Sequence, residues 1–186
     1  IAAVHSIFNL GATVCLLPFS GGLVKLACLT IREEAGRAEE REDEILQLLD
    51  PRFLEMPAYA VEQSRAVSVS MAGLAEEALG LSTGLLADYR QEAADRVTEL
   101  ESRVDKFEDQ LGSYLMQLGA RDMKEEDNSI LTVVLHCMGD FERISDHARN
   151  VKEAAEEMHG KELCFSEKAG KELEILAAAV RESLRL

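Results

Sequence analysis

Two pairs of acidic residues, each with members four positions apart, are the residues best suited to do chemistry in this chain. Glu142 and Asp146 lie in the stretch GDFERISDHARN. Glu101 and Asp105 lie in the stretch ESRVDKFED. Residues four apart share one face of an α-helix, so the two carboxylates of a pair can converge. Carboxylate oxygens suit hard cations such as Mg²⁺, Ca²⁺ and Mn²⁺, and carboxylate-rich clusters also hold iron. If the two helices are neighbours, the spacing predicts a metal site shared between them.

An ordinary solvated helix face is the alternative interpretation of the same residues. Charged residues make up 30% of the chain, so acidic residues four apart arise often by chance. Arg143 and Arg149 could also neutralise the face locally. Against this, two like charges one turn apart repel each other, which a plain solvated face normally avoids. The spacing alone leaves both interpretations open.

The composition excludes several classes of protein. The net charge of -15 argues against binding to nucleic acid, because phosphate backbones are bound by Lys and Arg. An acidic surface favours cations or basic partners instead. Four cysteines show neither a CxxC motif nor a disulfide framework, which fits a reducing compartment and no zinc-thiolate site. Cys137 falls among apolar residues and is interpreted as a buried, inert thiol.

Three long stretches, in which apolar residues alternate three and four positions apart, predict three helices. This pattern is typical of antiparallel helices packed in a bundle, and no stretch alternates as a strand would. We therefore expect an all-α fold, in which Pro57 opens the first helix and Gly119 and Gly160 end the second and third. Because the apolar face of the third helix passes through Phe141 and Ile144, its acidic pair should face outward. The core is predicted to include Leu74, Leu100, Phe107, Val134, Phe141 and Ile144.

The segments on either side of the predicted bundle differ from it in composition. Residues 1–29 are apolar with Lys25 as their one formal charge, and roughly 20 such residues can cross a bilayer as a helix. A buried core helix and a signal peptide are the alternatives, although no basic region precedes the apolar run. Residues 30–56 predict a charged helix or linker, with a helix start at Asp50 before Pro51. A fourth helix should begin after Ser166 as its N-cap.

The acidic stretches resemble those of the PhoU family. GDFERISDHARNVKEAAEE is similar to the family signature, in which helices carry paired E/DxxxD motifs, and ELESRVDKFEDQLGSYL is similar to the preceding helix. The resemblance implies a PhoU-like antiparallel three-helix bundle over residues 57–163 and the start of a second such repeat over 164–186. In this family the motifs bind multinuclear iron or zinc clusters, and oxygen ligands would also accept magnesium or manganese. The implied ligands are Glu101, Asp105, Glu142 and Asp146, and the neighbours that could assist are Asp109, Asp140 and His147.

The N-terminal part carries a second resemblance. AVHSIFNLGATVCLLPF is similar to the last membrane helix of bacterial sodium/phosphate cotransporter domains, and LDPRFLEMPAYAVEQSR resembles the junction to their PhoU-like domain. This implies a cytoplasmic regulatory domain of a multi-pass protein of the bacterial inner membrane. The implied partners are the transporter membrane domain of the same protein, with phosphate and sodium as the transported species, and a homo-oligomer is compatible with it. The motifs that bind sodium and phosphate in the transporter core are absent from this sequence. The sequence alone is therefore not expected to transport phosphate.

Two other functions are alternatives to a regulatory domain. A carboxylate-bridged metal enzyme of the four-helix-bundle type needs a Glu-x-x-His motif on two helices. Glu156 and His159 alone have that spacing, at a helix end, so we expect no enzyme. His136 is interpreted as a surface or packing histidine. A signalling helical bundle of a membrane receptor would use the heptads to dimerise, but the helices end at bundle length.

Overall fold

A computed structural model describes residues 43–184, and those from Ile45 onward form one compact unit. A short 3-10 helix, Pro51–Glu55, is followed by α1 (Pro57–Leu85), α2 (Gln91–Gly119), α3 (Glu125–Gly160) and α4 (Glu167–Leu184). No strand occurs between residues 43 and 184, so the all-α prediction is confirmed for this range.

The predicted membrane helix over residues 1–29 lies outside the described residues, as does most of the charged segment over 30–56. Within residues 43–184, no helix combines the length and the apolar character that a membrane span requires.

Helices α1 to α3 pack on one another as an antiparallel bundle. Arg96, near the start of α2, pairs with Glu77, near the end of α1, at 3.0 Å. Arg149, late in α3, pairs with Glu101, early in α2, at 2.6 Å. Successive helices therefore run in opposite directions, as short connections between long amphipathic helices dictate.

The local start signals act as the sequence predicts. The Asp50 carboxylate accepts a hydrogen bond from the Arg52 backbone N–H at 2.8 Å and caps the 3-10 helix. Pro57 is the first residue of α1, where its missing N–H costs nothing. The Ser166 hydroxyl accepts from the Ala169 N–H at 3.3 Å and caps α4. Each satisfies or removes a backbone donor that a helix start would leave unpaired.

Helices α2 and α3 end at Gly119 and Gly160, as predicted, although Gly160 is not the residue in the left-handed conformation. Gly160 is the last helical residue, but the left-handed conformation that ends the helix is adopted by Glu162, with a φ of 53°. The Leu163 N–H donates to the Met158 carbonyl at 2.9 Å. This is the Schellman pattern, in which the left-handed position is usually glycine. The glycine and the left-handed residue are thus two positions apart here.

The core forms around α2, whose predicted apolar face is fully confirmed. Phe107 is 1% exposed, and Leu74, Leu100 and Val134 are also buried. All seven residues of the α2 pattern are buried: Val97, Leu100, Val104, Phe107, Leu111, Tyr114 and Leu118. A continuous apolar stripe of this kind provides most of the stability of an amphipathic helix.

The predicted inward face of α3 is partly wrong. Phe141 and Ile144 are half-buried and pack against the edge of the core, beside a shallow groove along α1. The residues of α3 that are fully buried there include the small Ser145 and Ala148. Small side chains let helices approach closely, so α3 turns this side to its neighbours and leaves the larger residues at the edge.

Small residues also form a buried stripe along α1. Close approach of α2 and α3 to α1 requires little side-chain volume at the contacts. The Ser64 hydroxyl donates to the Ala60 carbonyl at 2.8 Å, so the stripe carries no unpaired hydroxyl at that position. The buried small residues of α1 are Ala60, Ser64, Ser68, Ala75, Ala78 and Ser82.

Helix α4 covers one end of the bundle loosely. Only Ala177 of α4 is buried among the described residues, whereas Ile175 is 71% exposed. A cavity of about 550 Å³ lies between α4 and the ends of α1 and α3. Its wall includes Tyr89 and His159, whose rings stack with centroids 4.5 Å apart. That α4 begins a second PhoU-like repeat stays a prediction.

Candidate cation site

The acidic residues are positioned by the pairing of α2 with α3. Glu101 faces Arg149 at one level, and Gly112 lies against the Met138 side chain further along. The two helices are antiparallel, so a residue further toward the C-terminus of α2 lies opposite a residue equally further toward the N-terminus of α3. By this register Asp105 lies opposite Asp146, and the next turn of α2 lies opposite Glu142. The sequence-predicted ligands are thus on neighbouring helices at matching levels.

The Asp105 carboxyl shows that the acidic residues interact across the two helices. Partial burial raises its pKa, and the negative charges of Glu101, Asp146 and Asp109 raise it further. Arg149 acts in the opposite direction and lowers the pKa of Asp105. Like charges held close together disfavour ionisation of each member. Asp105 is therefore surrounded by more negative than positive charge.

The Glu142 carboxyl is in a similar environment on α3. Partial burial raises its pKa first, followed by the charge of Asp146 and a side-chain hydrogen bond with it. Glu108 and Asp105, both on α2, raise the pKa of Glu142 as well. Glu142 and Asp146, four residues apart, thus interact directly, and both are coupled to α2. We name Asp105, Glu108, Glu142 and Asp146 the acidic cluster.

Glu101 differs from the other predicted ligands. It is 5% exposed, and its Oε1 accepts a hydrogen bond from Arg149 Nη1 at 2.6 Å. Glu101 does not lie on the outer surface, because it falls on the α2–α3 seam between Leu100 and Val104. The suggestion that Arg149 neutralises part of this face is confirmed. Burial of a charged carboxylate requires such a partner.

The other residues named from the sequence lie mostly apart from the cluster. Asp140 pairs with Arg143 at 2.8 Å, and His147 and His136 are exposed. Cys137 is a half-buried free thiol and not the fully buried one expected. Glu108 was not among the implied ligands. It lies three residues after Asp105, a helical spacing that would have placed it on the same face.

Ser145 is a residue of this region that the sequence analysis missed. It follows Glu142 by three residues, is 1% exposed, and its hydroxyl has no hydrogen-bond partner among the described residues. An unpaired buried hydroxyl is uncommon and marks a place where a polar group is under-satisfied. Only its position, one residue before Asp146, could have indicated it.

The chemistry of these residues fits a hard cation. All the donors of the acidic cluster are carboxylate oxygens, which suit Mg²⁺, Mn²⁺ and iron, whereas zinc prefers His and Cys. Partial burial and mutual repulsion raise the pKa of two of them, and a cation would relieve that repulsion. As the side chains stand, no three His, Cys, Asp or Glu residues within 43–184 converge closely enough to hold an ion. Binding would therefore require these flexible side chains to rotate.

Replacing Ser145 by alanine is expected to stabilise the domain by about 1–2 kcal/mol, because it removes a buried hydroxyl that has no partner. Ser64→Ala is the matched control, since Ser64 is equally buried in a helix but donates to Ala60. The helical preference for alanine is common to both changes. Urea unfolding should therefore show a gain for Ser145→Ala and none for Ser64→Ala. Equal effects of the two changes would show that the Ser145 hydroxyl is satisfied.

Part of the bundle matches a known protein family. Residues 69–155 match the family model of the PhoU domain. Over these residues the bundle is similar to the PhoU domain. The matched range runs from within α1 almost to the end of α3 and contains all four predicted ligands. The PhoU domain is a regulatory, non-enzymatic helical domain tied to phosphate homeostasis.

No curated protein and no solved structure matches the chain. The PhoU match does not extend to residues 1–68, so the resemblance to the sodium/phosphate cotransporters stays a prediction.

Proposed function

We propose that this PhoU-like domain is the cytoplasmic regulatory domain of a sodium-dependent phosphate transporter of the bacterial inner membrane. The match to the PhoU domain supports a role in phosphate regulation. The transporter context is supported by the resemblance of the apolar segment at 1–29 and of the junction that follows. On this proposal the membrane domain of the same protein is the partner, and phosphate and sodium are the transported species.

We propose further that carboxylates of the acidic cluster, together with Glu101 one turn away on α2, bind a metal cation. The observation that carries this proposal is the coupling of Asp105 on α2 with Glu142 and Asp146 on α3, which keeps like charges together without full neutralisation. Glu142 and Asp146 would hold the ion from α3, and Asp105 and Glu101 would hold it from α2. Iron, magnesium or manganese fit these oxygen donors best.

The arrangement suggests how binding could regulate transport. A bound cation would supply positive charge that offsets the repulsion between the carboxylates and attracts phosphate. Asp105 and Asp146 would then draw α2 and α3 together at one level of the bundle, where now their charges oppose each other. A partner surface that contacts both helices would then bind differently to the metal-bound and the metal-free domain. In this way phosphate or metal state could be coupled to a transporter domain.

Metal content tests the cation site directly. The chain, prepared in iron- and zinc-replete medium and dialysed against Mg²⁺ and Mn²⁺, should contain bound metal by elemental analysis. The double variant Glu142→Gln/Asp146→Asn should lose most of it, because both α3 ligands become neutral amides. Asp140→Asn is the matched control, since Asp140 is an exposed acid of the same helix that pairs with Arg143. Its metal content should equal that of the wild type.

The same variants test the link to transport. In cells that carry the unmodified gene, sodium-dependent uptake of radioactive phosphate should respond to the external phosphate level. Glu142→Gln/Asp146→Asn should change that response, whereas Asp140→Asn should not. Equal metal content in all three proteins would contradict the cation site. Equal uptake in all three strains would contradict a regulatory role for it.

A further inference from the structure

Arg149 on α3 contacts α2 at Glu101, one helical turn from Asp105 of the acidic cluster. Its Nη1 donates to the buried Glu101 carboxylate at 2.6 Å, and its Nε reaches Glu153 on its own helix at 3.4 Å. The Arg149 side chain is half-exposed, while that of Glu101 is almost fully enclosed. Arg149 also lowers the pKa of Asp105, so its charge reaches the acidic cluster.

The two partners in this pair are not equally free to leave it. Glu101 is enclosed between α2 and α3, and a buried carboxylate without a partner is costly. Arg149 has a long side chain with access to solvent and a second carboxylate, Glu153, on its own helix. When a competing cation approaches Glu101, Arg149 is therefore the partner that can swing away at low cost.

We propose that Arg149 is an internal competitor that sets the cation affinity of the site. With Arg149 on Glu101, α2 offers the ion fewer free ligands. Displacement of the guanidinium frees Glu101 to join Asp105 and the α3 pair. The affinity of the site is then reduced by the fraction of time for which Arg149 holds Glu101. This inference rests on the proposed cation site and concerns its regulation.

Manganese titration of the chain by isothermal calorimetry tests the proposal. If Arg149 occupies Glu101 for about nine-tenths of the time, Arg149→Gln should tighten Mn²⁺ binding about tenfold. Arg143→Gln is the matched control, because it removes the same charge from the same helix while Arg143 pairs with Asp140 outside the cluster. Its Mn²⁺ affinity should stay within about twofold of the wild type. Circular dichroism confirms that each variant is folded.

A second background separates competition from a general charge effect. In Glu101→Gln protein there is no carboxylate for Arg149 to hold, so adding Arg149→Gln should change Mn²⁺ affinity much less than it does in the wild type. An equal tightening in both backgrounds would overturn the competition proposal, as would an unchanged affinity of Arg149→Gln where the wild type binds. If neither the wild type nor Arg149→Gln binds Mn²⁺, the cation site itself fails and this inference with it. Binding by Arg149→Gln alone would support the proposal.

Discussion

Phe107→Ala is expected to lower the free energy of unfolding by about 3–5 kcal/mol, the usual cost of deleting a large buried aromatic side chain. Phe107 is 1% exposed and lies in the middle of the α2 stripe. Its removal leaves a cavity that long, close-packed helices cannot readily fill. For a domain of this size the midpoint of thermal unfolding should fall by roughly 10 °C or more. Urea unfolding followed by circular dichroism measures the free energy, and a thermal scan of the same signal measures the midpoint.

Met116→Ala is the control for this change. Met116 is on the same helix and is 76% exposed, and its replacement removes a side chain of similar length. Its replacement should alter stability by less than about 0.5 kcal/mol. A loss below about 1 kcal/mol for Phe107→Ala would mean that α2 does not pack through this residue. The placement of Asp105 and Glu108 on either side of it would then be wrong as well.

Ala78→Leu is expected to destabilise the bundle by about 1–3 kcal/mol through overpacking. Ala78 is fully buried in the stripe of small residues on α1. Leucine and alanine are both good helix formers, so the change in intrinsic helix preference is small. The added carbons must instead push α1 away from a neighbouring helix. Denaturant unfolding gives the free energy, and the melting temperature gives an independent check.

Ala66→Leu is the matched control, because Ala66 is exposed on the same helix. This variant should unfold within about 0.5 kcal/mol of the wild type. If Ala78→Leu proved as harmless as Ala66→Leu, the close approach of the helices to α1 would be disproved.

The predictions from sequence succeeded where a single helix decides the outcome. Every residue of the apolar period of α2 is buried, and Asp50, Pro57 and Ser166 marked helix starts correctly, because these signals act within one or two turns. The family signature indicated the PhoU domain that the comparison found at residues 69–155.

The failures concern the rotation of one helix against the others. Apolar character favoured Phe141 and Ile144 as inward residues of α3, but both are only half-buried, whereas the polar Ser145 is fully buried. Side-chain volume at a helix contact depends on the partner helix, which a linear pattern does not contain. The burial of Glu101 was missed for the same reason. Its neighbours Leu100 and Val104 face the core, and Glu101 lies beside them in the interface between α2 and α3.

The pairing of Glu101 with Arg149 has a consequence for how the bundle finds a unique alignment. Helices with regular apolar stripes can slide past each other by one turn, about 5.4 Å, and still bury similar surfaces. A slide of four residues in one direction would set Glu101 against Glu153, and in the other direction against Ser145 and the acid that follows it. Either shift moves the buried carboxylate away from the level of Arg149, so both misaligned states are penalised. The charges on this seam thus discriminate between alignments that hydrophobic contact alone would leave nearly equal in energy.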